Sequence, residues 1–172
     1  MSAAFDPKKP NKGKPRKELR ATCLESNFSE KQLEGLQEIL NKTGWFSIEI
    51  ILAFFFNNKS KKNFLPVKEE YFKFAAYFFY RMGKEFLIKA DRGKGFIVAL
   101  AMRIRCGKKK MSAAQINKIC TEITSNQTKY ELLLATVEQT IAKVMEMKAK
   151  FPNKTTLILF LLNLISEIPL PA

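Results

Sequence analysis

The sequence predicts an all-α protein: a compact multi-helix globule of six to eight helices over residues 21–172, behind a flexible basic arm over residues 1–20. Three observations carry this expectation. Gly and Pro are scarce, 7 of each in 172 residues, which disfavours a turn-rich β architecture. Apolar residues recur at helical spacing through much of the chain. Helix-start signals, a Ser or Thr three residues ahead of Gln or Glu, stand at Ser29, Ser112 and Thr128. Hydrophobic residues make up 47% of the chain, which excludes wholesale disorder and supplies the core of a single domain.

The arm, MSAAFDPKKPNKGKPRKELR, is polar, Pro-containing and basic, and is expected to order only on a partner. Its cations Lys8, Lys9, Lys12, Lys14, Arg16 and Lys17 suit a phosphate-gripping arm or a nuclear-import signal. A solvated terminus is the blander reading. From Ser29 an amphipathic helix runs with Leu33, Leu36, Ile39 and Leu40 on one face and Gly44 as its stop. Ser47–Phe56, SIEIILAFFF, is nearly all apolar and is expected as a buried helix or a core strand. Asn57–Asn63 reads as a basic polar loop.

Pro66 suits the first turn of the next helix, VKEEYFKFAAYFFYRMG, where Glu69 and Glu70 complement the positive end of the dipole. KEFLIKAD reads as a short separate helix. FIVALAMRIRC, Phe96 to Cys106, favours helix through Ala99, Leu100 and Ala101 but alternates like a strand from Met102; helix is the preferred expectation. Helices then start at Ser112 and Thr128. The second carries Leu133, Leu134, Val137, Ile141, Val144 and Met145 on one face and ends at Pro152. The last, TTLILFLLNLISEI, is apolar all round, so Leu157–Ile165 must be buried by the core or by a second copy, a possible homo-oligomer contact. That segment is too short to span a bilayer, so no transmembrane segment is expected.

Chemistry is thinly represented. There is no His, and Asp occurs only at Asp6 and Asp91, which removes the usual neutral-pH acid/base and the commonest transition-metal ligand. Glu69 and Glu70 are adjacent, and on a helix such neighbours point about a hundred degrees apart, too far to share an ion easily. DRGKG lacks the spacing of a nucleotide-binding loop. Cys23, Cys106 and Cys120 form no CxxC pair and read as reduced, ordinary thiols. No enzyme, cofactor or metal is expected. No apolar stretch follows the basic N-terminus, so no secretory signal is expected and the anticipated location is intracellular, cytoplasmic or nuclear.

Charge is the strongest signal. The net +14 divides into +5 over residues 1–20, −3 over 21–57, +11 over 59–110 and +1 over 111–172. Such segregation suits a polyanion partner. Arg103, Arg105, Lys108, Lys109 and Lys110 fall within eight residues with no acid among them. Dipole complementation at a helix end accounts for one or two of these cations; five exceed it. Lys59, Lys61 and Lys62 add a second basic loop. Between Tyr71 and Tyr80 stand seven aromatics; on a helical wheel, Tyr71, Phe72, Phe74, Phe78 and Phe79 share the core arc, while Lys73, Tyr77, Tyr80, Arg81 and Lys84 gather opposite. That second stripe suits base stacking between phosphate contacts, or, more blandly, tyrosines at the rim of the core.

The expected function is non-enzymatic nucleic-acid binding through the phosphate backbone, RNA or single strands slightly preferred, with low sequence specificity. The alternative is a self-assembling, nucleocapsid-like subunit that packages nucleic acid. A third is a module for anionic membranes or for other proteins.

Overall fold

Ser29 starts the first helix as a reciprocal cap. Its hydroxyl accepts from the Gln32 N–H, and the Gln32 side chain accepts from the Ser29 N–H at 2.9 Å. The Gln32 amide then reaches across the molecule and donates to the carbonyls of Lys148 and Phe151, at the end of the helix Glu131–Lys150. These contacts come from a computed structural model, which describes residues 24–52, 56, 64–85, 87–90 and 95–152. The arm, the basic loop with Lys59, Lys61 and Lys62, Cys23 and the Leu157–Ile165 segment lie outside the described residues.

The chain order is β1 (Leu24–Ser26), α1 (Glu30–Lys42), β2 (Leu65–Val67), α2 (Phe72–Lys84), β3 (Ile88–Ala90), α3 (Phe96–Arg103), β4 (Ile104–Cys106), β5 (Lys109–Lys110), α4 (Ala113–Ser125) and α5 (Glu131–Lys150). The fold is mainly helical, as expected, with five α-helices rather than six to eight among the described residues. It is not purely α: β1 pairs antiparallel with β3, and a second sheet has the order β2–β4–β5. In that sheet β2 and β4 run parallel and β4 and β5 antiparallel.

Helix α2 lies at the centre. Phe72, Ala75, Ala76, Phe78, Phe79 and Met82 are buried, and α3, α4 and α5 all pack on it. Trp45 closes the core against Phe74 and Phe78, with ring centroids 6.1 and 5.8 Å away. Ile116, Cys120 and Ile123 form the inward stripe of α4, and Leu133, Val137, Ile141, Val144 and Met147 that of α5. Met145, expected on that stripe, faces solvent.

Each departure from the expected elements has a local cause. Pro66 sits inside β2, not in a helical turn; it has no N–H to give, but its carbonyl accepts from the Ser47 N–H at 3.0 Å. KEFLIKAD carries β3 because Ile88 and its neighbours pair with β1. The expected helix Phe96–Cys106 stops at Arg103, and Ile104–Cys106 continues as a strand laid along β2; tertiary pairing decides this short β-branched run. Thr128 does not cap: it lies in a 3-10 turn, Gln127–Tyr130, and α5 begins after Tyr130.

Ser47–Phe56 is not uniformly buried, since Ile48 is 61% and Ile51 51% exposed. Polar side chains of α1 take up two of its N–H groups. Asn41 accepts from the Ile50 N–H at 3.0 Å and Gln37 from the Leu52 N–H at 3.1 Å.

Candidate nucleic-acid interface

The basic joint is a hairpin. Gly107 turns it with φ 56°, a left-handed conformation that a side chain would strain, and a β-carbon there would also approach Glu69 Oε1 to 3.1 Å. The Gly107 N–H donates to the Val67 carbonyl at 2.7 Å, locking the turn onto β2. Lys108, Lys109 and Lys110 project from this turn and are all exposed. Among the described residues none of the three makes an ion pair. Beyond them Ser112 opens α4 with a second reciprocal cap to Gln115. That cap occupies the Gln115 N–H, one of the donors otherwise available to an anion at this helix end.

Arg105 and Arg103 part company. Arg105 lies opposite Lys110 in the β4–β5 register, and its guanidinium stands 5.0 Å from the centroid of the Phe64 ring. Arg103, in the last turn of α3, is 2% exposed and engaged within the protein. It therefore leaves the set of surface cations. Phe64 was not among the sequence-based candidates, yet it is 43% exposed beside Arg105. The alternation of Met102–Cys106 hinted at a strand, but only the parallel register with β2 brings these two side chains together.

The stripe expected on α2 does not form an open surface. Tyr77 is 6% exposed, and its ring stacks on that of half-buried Tyr80 at 6.0 Å. Arg81 is paired to Glu138 of α5 and, at 3.5 Å, to Glu85. Burial works against its charge, but Glu138 and the Tyr77 hydroxyl outweigh burial and hold its pKa above the ordinary arginine value. Lys84 lies 5.4 Å over the Tyr80 ring. Lys73 donates to the Tyr130 hydroxyl at 3.1 Å; that hydroxyl donates to Glu122, which also accepts from Lys129 at 3.2 Å. These cations join α2 to α4 and α5. A helix packed on several sides buries more than the one arc a wheel assigns to the core, which is why Tyr77 is lost to the interior.

Among the described residues no group of three or more His, Cys, Asp or Glu side chains could hold a metal. Burial raises the Cys106 thiol pKa, Glu69 adds to this and Lys109 opposes it; burial alone pushes Cys120 up to about 12. Both thiols are thus less nucleophilic than an ordinary cysteine. A cleft of about 580 Å³ opens between α1 and α5 over Ile39, Trp45 and Met147, rimmed by Glu38, Lys42 and Lys143. Among the described residues no helix is long and apolar enough to cross a membrane. Compared with protein-family models, with curated proteins and with solved structures, the chain matches none of them.

Proposed function

We propose that the protein binds nucleic acid through its phosphate backbone, without catalysing a reaction and with little sequence specificity, single strands or RNA preferred. The observation that carries this reading is the Lys108–Lys110 hairpin: three exposed, adjacent cations with no ion pair among the described residues, on a turn bonded to β2 through the Gly107 N–H. Elsewhere on the described surface Arg81 and Lys129 are matched to carboxylates. Like charges held side by side repel, and the repulsion is relieved when phosphates approach and condensed counterions are released. Arg105 extends the patch; Arg103 and Tyr77 do not belong to it. The arm and the Lys59–Lys62 loop contribute on the strength of their sequence alone.

The test is a salt series. Replacing Lys108, Lys109 and Lys110 together with Gln should lower the slope of log affinity against log salt by roughly 2 to 3, at about 0.7–0.9 per phosphate contact. Fluorescence anisotropy with a labelled single-stranded RNA reads it directly. An unchanged slope with unchanged affinity would remove the hairpin from the interface.

A further inference from the structure

The register of the second sheet sorts its side chains onto two faces. Strand residues directly opposite each other share a face, and successive residues alternate. Leu65 pairs with Ile104, and these two, with Val67, are buried against the core. Pro66 pairs with Arg105, and Arg105 with Lys110, so this row turns outward. Phe64, two residues before Pro66, falls on the same outward face by the period of two, and the guanidinium of Arg105 lies 5.0 Å from its ring centroid.

Among the described residues an exposed phenylalanine is unusual. Phe28, Phe46, Phe56, Phe72, Phe78 and Phe79 are all buried. Phe151 is also exposed, but it borders the α1–α5 cleft, and among the described residues no cation stands over its ring. At Phe64 alone among the described aromatics does an exposed ring coincide with a row of surface cations. Covering a ring of this kind is favourable, so an aromatic ligand already drawn to these cations gains by lying on it.

We infer that the outward face of this sheet is a stacking platform for an unpaired nucleobase, which lies on Phe64 while Arg105 and Lys110 take the neighbouring phosphates. This inference rests on reading the hairpin as a nucleic-acid contact and names the class of ligand: single-stranded rather than duplex. A base within a duplex has both faces covered by its neighbours, whereas an unpaired base offers one to an aromatic ring, and such stacking tolerates any sequence. Adjacent strands lie about 4.8 Å apart, so the three-strand row spans on the order of 10 Å, room for one or two bases. Arg105 is suited to its role because its guanidinium, beside the ring, presents a planar fork of donors that matches a phosphate.

Three probes separate the possibilities: a fluorescein-labelled oligouridylate, a labelled duplex of the same length, and inorganic polyphosphate. Phe64→Leu, at an exposed site, should weaken oligouridylate binding by roughly 5- to 100-fold. Polyphosphate affinity, duplex affinity and the salt slope should stay as they were. Phe64→Tyr should restore the lost affinity. Phe64→Trp adds a direct reporter, since the chain has one other tryptophan, Trp45, and it is buried. Oligouridylate should quench the new indole and polyphosphate should not. If Phe64→Leu binds oligouridylate as tightly as the wild type and the indole is not quenched, the platform is refuted while the phosphate reading stands. If the wild type binds neither oligouridylate nor polyphosphate in dilute buffer, the phosphate reading itself fails.

Discussion

Gly83 stands in the last full turn of α2 with the Phe96 ring of α3 pressed against it; a β-carbon there would lie 2.6 Å from that ring. Helix propensity alone favours Ala over Gly by about 1 kcal/mol. The close approach reverses the sign, and Gly83→Ala should destabilise the fold by about 1–3 kcal/mol, the usual cost of overpacking. Urea denaturation checks this; a variant as stable as the wild type would mean that the ring can step aside at no cost. Residue identity alone held no hint of this contact. The same holds for Arg103 and Tyr77, whose types belong as readily to a surface as to an interior. Their burial follows from which neighbours pack on α2 and α3, a long-range fact. Ser29 and Ser112 were different. Each caps within its own four residues, as the spacing predicted, although the same spacing at Thr128 does not cap.

The joint between α2, the Gln127–Tyr130 turn and α4 is held by the chain of bonds from Lys73 through Tyr130 to Glu122, with Lys129 closing on the same carboxylate. The Tyr130 hydroxyl first, and Lys129 after it, hold the Glu122 carboxyl below its ordinary value of 4.5. A carboxylate whose pKa is lower in the folded state than in the unfolded one contributes stability above the unfolded value. That contribution is lost as the pH falls through the folded value. Tyr130→Phe removes the first cause. The stability gap between wild type and variant should therefore be constant above about pH 5 and shrink on further acidification, as Glu122 becomes protonated in both. Denaturation midpoints across a pH series measure it. A gap that does not change with pH would assign Tyr130 to packing alone. At this scale the long amphipathic helices were legible, because their apolar period is written in consecutive residues. The three-residue strands were not, because their pairing partners lie tens of positions away.

The whole molecule carries +14, and its densest described cluster is one hairpin. Self-repulsion of that size lowers the stability of the compact state and is screened by salt. The Lys108, Lys109 and Lys110 to Gln variant should consequently melt no lower than the wild type in dilute buffer. Any advantage it has there should fade as salt is added. Melting curves at low and high ionic strength would show it, and a variant that melts lower in dilute buffer would mean that these lysines support the fold. The sequence by itself determined the helical majority, the two reciprocal caps, the lack of histidine chemistry and the concentration of positive charge. Each of these is fixed by composition or by residues close together in the chain. Only the tertiary structure decided which cations remain at the surface, that Tyr77 and Arg103 are inside, and that Phe64 lies beside Arg105. Those outcomes depend on strand register and helix packing, which bring together residues that local physics treats as strangers.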